Sequence, residues 1–166
     1  MNCIAAVDRN YGIGRGGRLL VSIPEDMKFF RRMTMGKTVI LGRKTLLSFP
    51  GSAPLERRRN IVLTRSAEAI PGAECVRSVE EALLRVRGED PENVFVIGGA
   101  SVYKAFLPYI RKAYLTKIDY SYEADCHFPN LDEDPEWELE SESDEMTCFD
   151  LCYTFTVYRR KERSST

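Results

Sequence analysis

The apolar run 94–97, which is followed by Gly98 and Gly99, most limits how this chain can fold. Four consecutive β-branched or aromatic residues without polar alternation are typical of a strand that is buried on both faces, as the central strands of parallel sheets are. Two glycines then permit a sharp turn and a close approach of the backbone to a bound group. A helix is predicted from about Ala100, and its free N–H groups would suit a phosphate. A plain turn between packed elements is the commoner meaning of a lone glycine pair.

Length and composition favour one domain in residues 1–160, followed by a charged, frayed tail at 161–166. The chain has 43% hydrophobic and 30% charged residues, and its net charge of −1 gives no general attraction to nucleic acid or to an anionic membrane. No apolar run reaches membrane-spanning length, and the N-terminus lacks a secretory pattern. Five scattered cysteines are typical of core or strand residues. We therefore expect a cytoplasmic protein, and nothing in the sequence demands a dimer.

The order of the predicted elements indicates an α/β fold. Apolar strands alternate with helices through the first two thirds of the chain, whereas residues 137–143 and 149–158 alternate apolar and polar side chains, as a long antiparallel pair would. Directly after the first predicted strand, four glycines within 8–18 exclude regular structure and predict a mobile loop. Such a loop is either a lid over a site or a plain surface excursion. The pattern predicts a mostly parallel sheet with helices on both faces and an antiparallel edge.

A carboxylate at the start of the first helix is the leading candidate for a functional group. Ser22 and Glu25 form an S-x-x-E capping pattern, and Ser78 with Glu81 forms another one further along. Asp26 lies at the leading end of the apolar face, because apolar residues follow it three, four and seven positions later. An acid in that place either stabilises the first helical turn or lies in a ligand pocket. The pattern supports both interpretations equally.

Two cationic stretches are candidate anion sites. Gly42 ends a second apolar strand, and Arg43 and Lys44 then open a helix, where cations are unfavourable unless an anion is bound. Three arginines at 57–59 precede a third strand. They are either a solvated edge or an anchor for a carboxylate ligand, which arginine binds with two parallel hydrogen bonds.

These motifs resemble dihydrofolate reductase along nearly the whole chain. The matching segments, in order, are 4–8, 12–14, 23–27, 41–45, 58–60, 96–99 and 127–129. The resemblance implies the family's eight-stranded α/β fold: a mostly parallel sheet with an antiparallel C-terminal edge strand and helices on both faces. It also implies hydride transfer from NADPH to 7,8-dihydrofolate, which gives tetrahydrofolate, and binding of antifolate-type inhibitors by a monomer.

On the substrate side, the resemblance implies that Asp26 is the catalytic carboxylate, which binds the amino and ring N–H groups of the pterin and supports protonation at N5. Arg58 resembles the anchor of the glutamate α-carboxylate, and Thr116 resembles the threonine that is bonded to the catalytic carboxylate. The other implied substrate-binding residues are Ile4, Ala6, Met27, Phe30, Phe49 and Leu55.

On the cofactor side, Gly98 and Gly99 resemble the family's cis-linked pair near the nicotinamide and diphosphate. Arg65 and Arg77 fall where the family binds the adenosine 2′-phosphate, which favours NADPH over NADH. Asp125 resembles the residue that communicates with the mobile loop, and His127 lies outside the pocket in the family. The remaining implied cofactor residues are Ala6, Ile13, Gly14, Gly42, Arg43, Lys44, Thr45, Leu63, Thr64, Ile97, Ala100, Ser101, Val102 and Tyr103.

The chain departs from the family at Leu20 and Val21, where Pro-Trp is usual. Val21 cannot cover a pterin as an indole does, and it has no N–H to hold a water molecule. We therefore expect an active site that is packed less tightly beside the pterin.

Two alternatives to dihydrofolate reduction remain open at this point. One is a same-fold reductase of another pterin or of a riboflavin-precursor pyrimidine. The other is a catalytically lapsed nucleotide-binding protein.

Overall fold

Twelve strands and four α-helices are present in residues 1–162, which the computed structural model describes. The strands are β1 (Asn2–Val7), β2 (Gly12–Arg15), β3 (Arg18–Leu19), β4 (Thr38–Gly42), β5 (Arg59–Leu63), β6 (Ala73–Val76), β7 (Val94–Gly98), β8 (Lys112–Ile118), β9 (Cys126–His127), β10 (Trp137–Glu142), β11 (Met146–Cys148) and β12 (Leu151–Arg160). The helices are α1 (Pro24–Thr34), α2 (Arg43–Ser48), α3 (Val79–Arg85) and α4 (Ala100–Phe106).

The main sheet confirms the predicted α/β fold. Its eight-strand path runs β10-β12-β8-β1-β7-β4-β5-β6, and the short β11 pairs with β12. The six strands from β8 to β6 are parallel, whereas β12 and β10 are antiparallel to their neighbours. The antiparallel edge is therefore β10 itself, and the C-terminal strand β12 lies one position further in.

The sheet buries a separate apolar cluster on each face. Because side chains alternate along β1, Ile4 packs on one face with Phe30 of α1 and Leu46 of α2. Cys3 and Val7 of the same strand pack on the opposite face, in the cluster that also takes up residues of α3 and α4. The predicted helices on both faces are thus confirmed. β7 lies between these clusters, and each of its residues is buried.

The prediction that the segment 8–18 contains no regular structure is wrong, because it includes β2 and the first residue of β3. β2 pairs with β3 and with β9 in a small antiparallel sheet. Glycine does not prevent this pairing, because the ladder uses only backbone N–H and C=O groups. Glycine is required at position 14, because a Cβ there would lie only 3.0 Å from the carbonyl oxygen of Arg18 in the paired strand β3.

Of the two predicted capping patterns, one is confirmed and one is wrong. The Ser78 hydroxyl accepts a hydrogen bond from the Glu81 N–H at 3.0 Å and caps α3. At α1, however, the cap residue is Ile23, and no side chain caps the helix. Pro24 occupies the first turn there. It has no N–H, so one fewer backbone donor needs a capping group, and Ser22 lies one position before the cap.

The C-terminal residues of the described chain are tied to the sheet. The backbone N–H groups of Arg160 and Lys161 donate to the carbonyls of Arg111 and Glu136. Of the predicted tail at 161–166, residues 163–166 lie outside the described residues. Among the helices in residues 1–162, none has the length and apolar character needed to cross a membrane.

The cluster beneath α4 can be tested with one substitution. Phe106 is 0% exposed, so Phe106→Ala should lower the free energy of unfolding by about 3–5 kcal/mol, measured by urea denaturation. Leu84→Ala on α3 is the matched control, because Leu84 is 66% exposed and should change stability by less than about 0.5 kcal/mol. Equal effects of the two substitutions would contradict this assignment of the core.

Candidate active site

The carboxyl ends of four parallel strands, β4, β5, β6 and β7, meet at one edge of the sheet. Gly42 at the end of β4 pairs with Leu63 of β5, which in turn pairs with Val76 of β6. On the other side, Leu41 of β4 pairs with Gly98 at the end of β7. Ligands of open α/β sheets bind in the crevice outside such strand ends. The turns that follow these strands are therefore the place to look for a site.

Asp26 stands in the first turn of α1 and faces β8. Its Oδ1 accepts a hydrogen bond from the Thr116 hydroxyl at 2.6 Å. Burial raises the pKa of Asp26 above its ordinary value, and the hydrogen bond from Thr116 acts in the opposite direction. The predicted contact between these two residues is confirmed. Asp26 is thus a partly buried carboxylate whose proton affinity is increased by its apolar surroundings.

Apolar side chains form a wall on the face of the sheet that α1 and α2 cover. Phe30, Phe49 and Leu55 pack there against the cluster that contains Ile4. Met27 is different, because it is 47% exposed beside them.

The second part of the wall surrounds Val21, the residue that stands where an indole is usual in the family. Val21 and Ala6 pack against a small cluster that comprises Ile23, Ile118 and Tyr153. Val21 is half-buried, and its side chain offers only methyl groups to this cluster. No indole N–H is offered at this position.

Within residues 1–162, the Arg58 guanidinium has no carboxylate partner, and it lies beside the end of α1. Its Nη1 donates to the Thr34 hydroxyl at 3.1 Å, and its Nε donates to the Glu56 carbonyl at 2.9 Å. Burial and the positive charge of Arg31 lower the pKa of Arg58, whereas the charge of Glu56 raises it. Two hydrogen bonds hold the side chain in place without neutralising it. The side chain is therefore free to bind a carboxylate ligand.

The glycine turns of β4 and β7 are packed too tightly for larger residues. The peptide bond between Gly98 and Gly99 is cis, as the resemblance implied. A Cβ on Gly42 would lie 3.1 Å from the Val102 side chain, and one on Gly98 would lie 3.2 Å from the ring of Tyr103. The Tyr103 hydroxyl in turn donates to the Ile4 carbonyl at 2.7 Å. These contacts bring α4 onto the strand ends beside the Asp26 pocket.

Cations follow three neighbouring strand ends on the same edge. Arg43 and Lys44 follow β4, Arg65 lies just beyond β5, and Arg77 follows β6. Within residues 1–162, only Arg43 of these four forms an ion pair, with Glu68 at 3.5 Å. The first turns of α2 and α4 have no side-chain cap at their start. This edge therefore offers positive charge and free N–H groups to an anionic ligand.

The other predicted cofactor residues divide between two places. At this same edge, in β5, β7, α2 and α4 or directly after them, are Thr45, Leu63, Thr64, Ile97, Gly99, Ala100, Ser101 and Val102. Ile13 and Gly14 instead belong to β2 of the small sheet.

Asp8 holds the small sheet in place, although the sequence predicted no role for it. Its buried carboxylate accepts hydrogen bonds from the N–H groups of Asn10 and Gly12, both at 2.8 Å, and of Tyr122 at 2.9 Å. It thereby joins the loop after β1 to the loop before β9. A Cβ on Gly12 would lie 2.6 Å from the Cβ of Ala124, so the two loops touch directly. An aspartate that is followed closely by Asn and Gly is a turn signal that could have identified it.

A second carboxylate connects the same two loops at their exposed end. The Gly16 N–H donates to Asp125 at 2.8 Å, so this carboxylate contacts the glycine loop with which the resemblance connects it. That hydrogen bond, assisted by the Cys126 thiol, lowers the pKa of Asp125. His127 is exposed, and its backbone pairs with Gly12.

Known proteins resemble the chain over nearly its full length. The sequence model of the dihydrofolate reductase family matches residues 1–160. The chain is 38% identical over 166 residues to the dihydrofolate reductase of Bacillus subtilis (strain 168), covering 97% of this chain and 95% of that protein. It is 40% identical over 159 residues to the dihydrofolate reductase of Neisseria gonorrhoeae, covering 95% and 96%. The dihydrofolate reductase HdrB of Haloferax volcanii is 38% identical over 168 residues, covering 96% and 82%.

The clamp formed by Asp8 can be tested with Asp8→Asn. One amide oxygen replaces two carboxylate oxygens, so at least one backbone N–H loses its acceptor, at a cost of about 1–3 kcal/mol in stability. Hydrogen exchange should then become faster in the loop of Gly12, in the loop of Tyr122, or in both. Asp119→Asn is the control, since its pair with Arg9 is exposed and should contribute less than about 1 kcal/mol. Unchanged exchange in both loops would exclude the clamp.

The raised pKa of Asp26 predicts a pH-dependent stability. Because the folded state disfavours the ionised carboxylate, the wild type loses stability as pH rises through that pKa. Asp26→Asn should therefore gain more stability near neutral pH than in mildly acidic solution. Each kcal/mol corresponds to roughly 2–4 °C in Tm for a chain of this size. Thermal unfolding measures the difference, with the exposed neighbour Glu25→Gln as control, and equal gains at both pH values would contradict the assignment.

Proposed function

The chain belongs to the dihydrofolate reductase family, and we propose that it carries out the family's reaction at the edge formed by Asp26 and the strand ends. It is an oxidoreductase that reduces 7,8-dihydrofolate to 5,6,7,8-tetrahydrofolate with NADPH. The observation that carries the assignment of the site is the partly buried carboxylate of Asp26, which is bonded to Thr116 and lies at the start of α1, whose Phe30 packs into the apolar cluster of Ile4.

The substrate is proposed to bind between Asp26 and Arg58. Asp26 accepts hydrogen bonds from the amino and ring N–H groups of the pterin, and Arg58 binds the glutamate α-carboxylate. Phe30, Phe49 and Leu55 contact the ring systems between these two polar ends. The two polar groups fix the direction of the ligand, whereas the apolar wall excludes water from it. The other proposed contacts, by family resemblance, are Ile4, Ala6, Met27 and Thr116.

The role of the protein in the chemistry is to position the reactants and to favour protonation. The pterin gains a hydride at C6 and a proton at N5. Protonation of N5 favours the reaction, because it neutralises the negative charge that the hydride brings. An acid with a raised pKa beside the pterin retains its proton at higher pH than an ordinary aspartate does. Thr116 keeps Asp26 in a fixed orientation, since its hydroxyl occupies one carboxylate oxygen.

The strand-end turns fit a phosphorylated dinucleotide. Gly42, Gly98 and Gly99 let α2 and α4 pack closely onto the strand ends, and cations follow the strands beside them. We assign Arg43, Lys44 and Thr45 to the diphosphate and Arg65 with Arg77 to the 2′-phosphate, which favours NADPH over NADH. NADPH supplies the hydride when it is bound.

The remaining assignments concern the state of the protein in the cell. We propose that residues 1–160 act as one unit and that the protein is a monomer, since the carboxylate, the arginine anchor and the cation edge all come from one chain. A cytoplasmic location is supported by five free cysteines, which reducing compartments preserve. Small folates and antifolate-type inhibitors are the proposed partners, and neither nucleic acid nor membrane is among them.

The test is NADPH oxidation by the purified protein with dihydrofolate, followed by absorbance. We expect turnover in the wild type and a loss of roughly 10²–10⁴-fold in kcat/KM for Asp26→Asn, the usual size of general acid–base catalysis. Glu25→Gln is the matched control, because Glu25 is an exposed acid in the same helical turn, and it should keep full activity. Wild-type turnover of another pterin or of a pyrimidine alone would overturn the choice of substrate. NADPH binding without turnover of any of them would indicate a lapsed enzyme.

A further inference from the structure

Two buried tyrosines of the core share one carboxylate. The Tyr11 hydroxyl donates to Asp132 Oδ2 and the Tyr158 hydroxyl donates to Asp132 Oδ1, both at 2.6 Å. Lys117 also donates to Oδ2, and its ammonium group lies 5.2 Å and 5.0 Å from the centres of the two rings. Tyr11 is 4% exposed and Tyr158 is 3% exposed. The two side chains therefore have the same partners and nearly the same burial.

Both tyrosines remain hydrogen-bond donors to an ionised acceptor. Burial and the hydrogen bond to Asp132 raise the pKa of Tyr11 and of Tyr158. Burial also raises the pKa of Asp132, but the hydrogen bonds from Lys117 and from the two hydroxyls outweigh it, so that pKa lies below its ordinary value. Hydrogen bonds to a charged acceptor are stronger than those between neutral groups. Each hydroxyl is thus held firmly by the shared carboxylate.

The backbone of Tyr11 is strained, and it leads directly into β2. Its φ is 61°, a left-handed conformation that is rare for a bulky residue and costs free energy. Its N–H donates to the Asp8 carbonyl at 3.1 Å, and its carbonyl accepts from the Phe128 N–H at 2.7 Å. β2 begins at the next residue and contains Ile13 and Gly14, which the resemblance assigns to the cofactor. Such a conformation persists only when its surroundings hold it, and the hydrogen bond of the hydroxyl is one such restraint.

The ring of Tyr11 is also connected to the glycine turn after β7. It stacks on Phe128 with ring centres 6.5 Å apart, and Phe128 meets Tyr103 edge to face at 4.9 Å. Tyr103 lies against Gly98, where a Cβ would be 3.2 Å from its ring. Tyr11 thus reaches both parts of the proposed cofactor site, β2 through the backbone and the end of β7 through two ring contacts. Tyr158 belongs to β12, to which no cofactor residue is assigned.

We propose that Tyr11 is a positioning residue for NADPH, which keeps β2 and Tyr103 in place because Asp132 holds its hydroxyl. The inference rests on the proposed function, since β2 and Tyr103 contact a cofactor only if the chain binds NADPH. Tyr158 supplies a second donor to the shared carboxylate and contributes to stability alone. Two hydroxyls with the same partner and nearly the same burial therefore differ in their effect on the reaction.

Tyr11→Phe and Tyr158→Phe are a matched pair, because each removes one hydroxyl and keeps the ring. In calorimetric titration, Tyr11→Phe should bind NADPH about threefold to tenfold more weakly than the wild type, since part of the free energy of one hydrogen bond is transmitted to the ligand. Tyr158→Phe should retain the wild-type affinity, although urea denaturation should show a similar loss of stability in both variants. Equal NADPH affinities of the two variants would overturn the positioning role.

Asp132→Asn tests the same route and leaves both rings in place. Its uncharged amide holds the Tyr11 hydroxyl less strongly than the carboxylate does, so NADPH binding should again weaken. In the double variant of Tyr11→Phe and Asp132→Asn the two losses should not add, because residues of one hydrogen-bond network are coupled. Full additivity would show that Tyr11 acts independently of Asp132 and would exclude the proposed route.

The dihydrofolate side separates this inference from the function on which it rests. Asp26 contacts Thr116, whose side chain lies on the face of β8 opposite to that of Lys117. Tyr11→Phe should therefore raise the KM for NADPH and leave the KM for dihydrofolate unchanged. A rise in both constants would indicate a general loosening of the fold and would overturn the positioning role. A wild type that does not bind NADPH would overturn both proposals.

Discussion

The burial of β7 on both faces is the constraint on which the rest of the structure depends. β1 and β4 pair with its two edges, and side chains from two apolar clusters cover its faces. Such a strand has no room for polar side chains, so polar function can begin only where the strand ends. The tight packing of Gly98 against Tyr103 then fixes α4 directly above that end. The cation edge and the Asp26 pocket are arranged around this point.

The carboxylate of Asp26 costs the folded protein stability, whereas the apolar residues of the sheet contribute to it. A carboxylate on the apolar face of α1 loses solvation, and one hydrogen bond from Thr116 compensates only in part, since the pKa of Asp26 stays raised. A residue that served stability alone would be apolar at this position. Proteins keep such local conflicts where chemistry requires them, and compensate with a well-packed surrounding. The cluster of Ile4 and Phe30 supplies that surrounding here.

Charge is distributed by the same logic in two further places. Asp8 is a buried carboxylate that accepts hydrogen bonds from three backbone N–H groups, so it fixes two loops. Arg58 is the opposite case, because within residues 1–162 its guanidinium is bonded only to uncharged groups. A buried charge with all its partners indicates architecture, whereas a cation without a counterion indicates a ligand of opposite charge.

The sequence alone determined the α/β order, the central strand, the helix after Gly99 and the position of Asp26 on an apolar face, because each follows from local spacing and residue type. It did not reveal the pairing of β2 with β9, nor the clamp at Asp8, since both join segments more than a hundred residues apart. For the same reason it left the arginines at 57–59 undecided. Adjacent arginines look alike in sequence, and only the packing of β5 against β6 and α1 decided that Arg59 meets Glu74 while Arg58 stays open.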